Sequence, residues 1–263
     1  MASGQTQEYD DALVTVLEAV WGEGYLSPGG PDEIRMIVEG VALAGKAVLD
    51  LGCGTGGITR FLAETYRPAC IVGIDVDAGL IARAINRASK AGLGNSLTFR
   101  TVTPGSLPFA DGSFDVVFSK DAMVHIADKP ALFAEIFRVL RQGGLVAAGD
   151  WMSSTDGPLS AAMTDYLELE GLGFGIGSPA RYYSALVQAG FRDIRIIDRN
   201  EWYRPLAHRE YDAVTGPLYD RLVARVGKAF VDHEVEVWRA LTVVVDSGEL
   251  RPGHLRARKP GGS

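Results

Sequence analysis

The segment VLDLGCGTG, residues 48–56, puts a carboxylate, Asp50, at the end of an apolar run and three glycines, Gly52, Gly54 and Gly56, at alternate positions after it. Missing side chains let the backbone approach a ligand closely, and a helix that follows offers its unpaired N–H groups to the same ligand. A dinucleotide site uses this physics with GxGxxG spacing, whereas here the loop reads GxGxG with an acidic residue in front of it. Asp75 closes the next apolar run, in GIDVD, where its carboxylate can accept hydrogen bonds from a ribose diol. A second chemical group lies in SKDAMVHIADK, residues 119–129. Asp121 and His125 are four positions apart, which on a helical turn puts both on one face, and a histidine titrating near neutrality can take a proton from a substrate. Cys53 has no neighbour to activate it and reads as a small loop-filling residue. No His, Cys, Asp or Glu cluster has metal-ligand spacing, so no metal is expected.

The elements that must hold these groups begin at Lys46. Short apolar runs, KAVLDL, CIVGID, SLTFRTV, FDVVFS and GLVAAGD, alternate with helical segments at 56–66, 78–92 and 129–141, the pattern of a parallel, doubly wound α/β sheet. Such a sheet binds ligands at the carboxyl ends of its strands, where the glycine loop, Asp75 and the Asp121 segment all fall. Residues 1–45 read as an N-terminal helical cap, with a helix at 10–22, the turn-rich GEGYLSPGG and a short helix in PDEIRMIVEG. Residues 46–150 are the core. Residues 151–263 carry a lid insertion and complete the core: a helix and a glycine-rich loop in 151–178, a helix at 179–189, the strand FRDIRIID, one long helical stretch at about 207–247, and a short strand in HLRARK. Leu255 and Ala257 alternate there with Arg256 and Arg258, as on an edge strand with a solvated face. The whole is one domain.

Composition excludes several classes. At 263 residues with 47% apolar and 22% charged side chains, the chain builds a packed core. A net charge of -7 works against a phosphate backbone, so nucleic acid is not an expected partner. Two cysteines form no disulfide framework and suit a reducing compartment. The opening MASGQTQEYDD has neither a basic nor an apolar leader region, and no apolar run reaches the roughly 18 residues of a membrane span. A cytoplasmic protein that does not touch membranes is expected; the oligomeric state is not legible.

With these motifs in the order VLDLGCGTG, GIDVD, LPFADGSFDVVFS and EIFRVLRQGGLVAAGD, residues 46–150 resemble the class I S-adenosylmethionine-dependent methyltransferases. The resemblance implies a Rossmann-like, doubly wound sheet of seven mostly parallel strands and S-adenosyl-L-methionine as cofactor. It also implies that Gly52 and Gly54 face the methionine portion, that Asp50 is directed at the amino group and that Asp75 holds the ribose. Ser27, Val76 and Ser119 are further implied cofactor contacts. Where this family commonly has an aspartate for adenine, the chain has Thr103, which leaves Val102 and Thr103 as the adenine candidates.

EYDD, GEGYLSPGG and the Asp121/His125 pair look like the phosphobase (phosphoethanolamine) N-methyltransferases and, less closely at the N-terminus, the sarcosine and dimethylglycine methyltransferases. By that match Tyr9 closes over the site with the histidine, Asp121 holds substrate and His125 is catalytic. Counting from the matching Tyr166 without gaps, the phosphate-gripping arginine falls on Glu170 and a phosphate tyrosine on Leu172. A carboxylate repels phosphate, which disfavours a phosphobase substrate. Glu168 and Glu170 either pair with an amine substrate or form a solvated helix face. Trp21, Tyr25, Trp151, Tyr166, Phe174, Tyr182, Tyr183, Trp202 and Tyr203 gather in the cap and lid, where aromatic walls would favour a methylated cation; Tyr25, Trp151, Tyr166 and Glu170 are taken as substrate contacts. The leading reading is an enzyme that methylates nitrogen of a small metabolite with His-assisted deprotonation. Methylation of oxygen or carbon in a secondary metabolite is the alternative on the same core. A silent cofactor-binding module is the alternative of another class, and the intact glycine loop, Asp75 and DAMVH argue against it.

Overall fold

The computed structural model describes residues 9–94 and 97–262. Residues 1–8, including Glu8 of EYDD, lie outside the described residues. Seven strands, β1 (Ala47–Leu51), β2 (Cys70–Asp75), β3 (Leu97–Thr101), β4 (Phe114–Lys120), β5 (Leu140–Ser153), β6 (Arg192–Asp198) and β7 (Leu250–Arg258), form one sheet in the order β3-β2-β1-β4-β5-β7-β6. The first five are parallel, and β7 runs antiparallel to both β5 and β6. The expected Rossmann-like architecture is therefore present. The strand order reverses between β1 and β4, so the loops after these two strands border one crevice.

Helices α1 (Asp11–Trp21) and α2 (Gly30–Ile37) precede the sheet. Asp10 starts α1 by accepting a hydrogen bond from Leu13 N at 2.8 Å, which satisfies one of the free donors of the first turn. Helices α3 (Gly57–Tyr66), α4 (Ala78–Lys90) and α5 (Lys129–Val139) are the crossovers of the parallel half, and α6 (Ala161–Glu170) and α7 (Pro179–Ala189) lead from β5 to β6. The sheet carries an apolar core on each face, one built around Leu49, Val117, Phe133 and Leu255 and the other around Ile34, Val48, Phe118 and Ala147.

Two sequence expectations are corrected. The single helical stretch expected at about 207–247 is three helices, α8 (Asn200–Thr215), α9 (Tyr219–Val226) and α10 (Lys228–Asp246). The chain leaves helical geometry at Gly216 and again at Gly227, whose φ of 92° favours glycine. These three helices lie between β6 and β7, so the cover over the crevice is supplied by them as well as by the 151–178 segment. The basic strand is not an edge: β7 sits between β5 and β6, and β6 is the edge. Arg256 does not face solvent alone; its guanidinium donates to Ile37 O at 3.0 Å, Met36 O at 2.9 Å and Glu39 O, which satisfies the free carbonyls at the end of α2.

A third core joins α1, α6, α8 and α10 through Leu17, Tyr166, Tyr203, Trp238 and Leu241 and forms the helical cover. It is tied to the sheet by Glu33 of α2, which accepts from Arg199 at 2.6 Å, just before α8, and meets His254 of β7 at 2.5 Å. No helix among the described residues is long and apolar enough to cross a membrane.

Candidate active site

The glycine loop is held from below and from the side. Gly52 N and Cys53 N both donate to Ile74 O at 2.9 Å, and Gly54 N donates to Asp75 Oδ2 at 2.9 Å. Asp75 also accepts from Asp77 N at 3.0 Å, so this carboxylate organises the loop as well as the end of β2. Burial raises the Asp75 pKa against these hydrogen bonds. Asp50, 1% exposed, accepts from Thr59 Oγ1 at 2.6 Å, and burial together with the charge of Asp75 pushes it up to about 7. Two carboxyls raised in this way are relieved by a cationic ligand. Val76 beside them is an apolar side chain left 59% exposed, suited to the face of a ring. Val102, half-buried, anchors the end of β3 to β2 through its N–H to Asp75 O at 2.9 Å, and Thr103 beside it is exposed. An amino-acid nucleoside with a positive centre fits this set.

Two further implied cofactor contacts, Ser119 and Ser27, are buried. Ser119 is fully buried and donates to Leu51 O at 2.7 Å, so its hydroxyl joins β4 to the end of β1. Ser27 is also buried, in the turn before α2, between Leu26 and Pro28, which do line the neighbouring cavity. Cys53 is buried against Gly73, and burial pushes its thiol up, in keeping with a packing role.

A cavity of about 220 Å³ opens beside the loop, with Leu26 of its lining against Gly54. Tyr9, Asp121, His125, Trp151, Tyr166 and Glu170 all line it. The Tyr9 hydroxyl is 3.4 Å from His125 Nε2, with the two rings edge-on, and Phe174 packs on the other side of the imidazole at 5.2 Å between centroids. The helical turn expected to carry both Asp121 and His125 is shorter than the spacing suggests. A 3₁₀ turn covers only Met123–His125, and Asp121 precedes it with a φ of 52°, a left-handed conformation that aspartate tolerates. Asp121 is fixed by its N–H to Gly149 O at 2.9 Å and by an ion pair to Lys120; burial raises its pKa.

The turn is clamped from beneath. Lys129 Nζ, fully buried, donates to Met123 O at 2.7 Å, Ile126 O at 2.6 Å and Gly175 O at 2.9 Å, while Asp150 accepts from Val124 N at 3.1 Å and from the Tyr182 hydroxyl. Burial lowers the Lys129 pKa and raises that of Asp150, each partly restored by the other's charge.

Of the aromatics singled out in the sequence, Trp21, Trp151, Tyr166, Phe174 and Tyr203 line the cavity. Tyr25 does not: it lies with Arg60, Phe61 and Glu64 in a separate hollow of about 210 Å³. Tyr182 is buried against Phe133, Tyr183 is 50% exposed, and Trp202 stacks under Arg199. The two glutamates part company. Glu168 is exposed, whereas Glu170, the last residue of α6, faces the cavity, where burial raises it to about 7. Sequence reasoning missed the wall contributed by α10, where Phe230, His233, Glu234, Val237, Trp238 and Leu241 line the cavity. Their spacing is one helical stripe, a signal that a single unbroken helical reading of 207–247 obscured. Among the described residues no group of side chains could hold a metal ion.

Comparison with known proteins agrees with this architecture. Residues 48–144 match a family described as a methyltransferase domain. The chain is 32% identical over 253 residues to phosphoethanolamine N-methyltransferase 1 of Arabidopsis thaliana, an alignment that takes in 96% of this chain and 50% of that protein. The chain thus spans about half the length of the curated relatives it matches. Among solved structures, the Haemonchus contortus phosphoethanolamine N-methyltransferase 2 complex with phosphomonomethylethanolamine and S-adenosylhomocysteine superposes with a TM-score of 0.87 at 24% identity, covering 97% of this chain and 59% of that one. A Galdieria sulphuraria protein described as a sarcosine dimethylglycine methyltransferase superposes with a TM-score of 0.83 at 22% identity, covering 97% and 99% of the two chains.

Proposed function

The chain belongs to the class I S-adenosylmethionine-dependent methyltransferases, and from that membership we propose that it methylates a nitrogen atom of a small amine that carries no phosphate. S-adenosyl-L-methionine, when bound, supplies an electrophilic methyl group on a positively charged sulfur. Asp50, Gly52, Gly54, Asp75 and Val76 are the residues that would hold it, with Val102 and Thr103 at the adenine end.

The observation that carries the nitrogen reading is the convergence of Tyr9, Asp121 and His125 on one cavity beside the glycine loop. An amine with a pKa of roughly 10 is mostly protonated at neutral pH and has no lone pair to offer. His125 accepts that proton, directly or through a water, as the nitrogen attacks. The Tyr9 hydroxyl orients the imidazole, and Asp121 stabilises the positive charge that the methylated nitrogen keeps. Trp151, Tyr166 and Phe174 exclude water around it.

Two of the named relatives are phosphoethanolamine N-methyltransferases, but the described lining of this cavity contains no lysine or arginine and places Glu170 on its wall. Phosphate would meet carboxyl groups there and no lysine or arginine to hold it. The test is a screen of small amines, amino acids, phenols and phosphoethanolamine with isotopically labelled cofactor, reading the methylated product by mass. An N-methylated amine as best product supports the proposal. Phosphoethanolamine or a phenol as best substrate overturns it.

A further inference from the structure

We infer that the α6/α10 end of the cavity is a receptor for a second cationic group, so that the nitrogen to be methylated belongs to a diamine. The inference rests on the nitrogen reading above and adds a specificity site to it.

Glu234 lies on the cavity-facing stripe of α10 and is 7% exposed, yet its carboxyl makes no hydrogen bond or ion pair among the described residues. Glu170 at the end of α6 faces the same space and is equally without such a partner. An apolar residue at either position would complete the wall at no electrostatic cost, whereas a carboxyl withdrawn from bulk water into the cavity calls for a compensating partner. The groups around the pair do not neutralise it: Asp10 adds a third carboxylate, Tyr166 is a buried phenol, and the described lining holds no lysine or arginine, its basic side chains being His125 and His233. Burial, with Glu170 and Asp10 nearby, pushes Glu234 up to about 8. A ligand ammonium is the chemistry that would satisfy both carboxyls at once.

The wall beside them is built for the rest of such a ligand. Glu210, behind the cavity, accepts from Trp21 Nε1 at 2.8 Å, Tyr203 Oη at 2.9 Å and Trp238 Nε1 at 3.4 Å. With their polar atoms engaged by Glu210, these three rings present carbon surface to the cavity, which suits an alkyl chain and attracts a cation. Asp121 and His125 at one part of the cavity and Glu170 and Glu234 at another therefore mark places for two nitrogens joined by an apolar spacer.

The experiment compares α,ω-diaminoalkanes of increasing length with n-alkylamines of the same lengths and with phosphoethanolamine, using the full chain and labelled cofactor, and measures binding of each by calorimetry. The best diamine is expected to exceed its length-matched monoamine in kcat/KM by roughly tenfold or more, chiefly through KM. Glu170→Gln, Glu234→Gln and the double substitution should collapse that ratio toward one. Because the ratio is taken within one preparation, partial unfolding lowers both rates and leaves it unchanged. Equal use of diamines and monoamines, a preference that survives the double substitution, or phosphoethanolamine as the best ligand overturns the second-cation receptor. Diamines that bind in a Glu170- and Glu234-dependent way without gaining a methyl group on nitrogen uphold the receptor and overturn the nitrogen reading instead.

Discussion

Gly52 and Ala122 approach so closely that a Cβ placed on Gly52 would lie 2.1 Å from the Cβ of Ala122. The contact joins the glycine loop to the turn that carries Asp121 and His125, so the two halves of the proposed site share one packing constraint. Gly52 also has a φ of 76°, a conformation that L side chains adopt at a cost. Gly52→Ala should therefore weaken cofactor binding by about 1–3 kcal/mol. The double substitution Gly52→Ala with Ala122→Gly removes the collision but keeps the strained φ, and should recover only part of the affinity by calorimetry. Wild-type affinity in the single variant would show that loop and turn are not in contact.

Glu33 should govern acid stability. Burial alone would raise its pKa, but hydrogen bonds from His254 and Arg199 override that and hold it at about 2, against an ordinary 4.5. A carboxyl whose pKa is lower in the folded state adds stability that is complete above pH 4.5 and is lost as pH falls from there toward 2. Urea unfolding of Glu33→Gln at pH 7 should show a loss of about 3 kcal/mol. The gap between variant and wild type should narrow on acidification to pH 3, and a constant gap would count against this assignment.

How much of this was legible depends on how local each signal is. The strands β1 to β5 and the loop between β1 and α3 were readable because apolar runs, glycines and strand-end carboxylates are adjacent in sequence. Asp121 and His125 were readable by position, but the short turn between them was not, because it is held by Lys129 and by Gly175 of a distant segment. The placement of β7 inside the sheet was also hidden: the alternation in HLRARK is the same for an edge strand, and only the carbonyls at the end of α2 give Arg256 a partner. Glu234 was missed for a related reason, since one carboxylate on a helix has no sequence signature until α1 and α6 are packed against it.

Lys129 should act as a positioning residue for the Met123–His125 turn. Lys129→Met leaves three buried carbonyls without their donor and Asp150 without its counter-charge, which should cost about 3–5 kcal/mol of stability. A loss of packing alone would not single out one amide. Gly175 N donates to Val124 O at 2.7 Å across the same clamp, so its hydrogen exchange should accelerate relative to amides of the sheet in the variant. Unchanged relative protection of Gly175 would assign Lys129 to general stability and not to the turn.

The proton path makes the sharpest prediction. If His125 takes the proton from the substrate ammonium, His125→Ala should lower kcat by a factor of roughly 10²–10⁴ with cofactor affinity nearly intact, because the cofactor loop is organised by Asp75 and Ile74 and not by the imidazole. Without its base the enzyme depends on amine already deprotonated in solution, so the residual rate should climb with pH toward the amine pKa of roughly 10. Tyr9→Phe removes a contact of 3.4 Å to His125 Nε2 and should show a smaller loss, about tenfold, without that steep pH dependence, since the base remains and only its orientation is relaxed. The two variants thus differ in the shape of the pH profile as well as in rate. Turnover of His125→Ala at the wild-type rate across pH 6–9 would return His125 to a packing role between Tyr9 and Phe174.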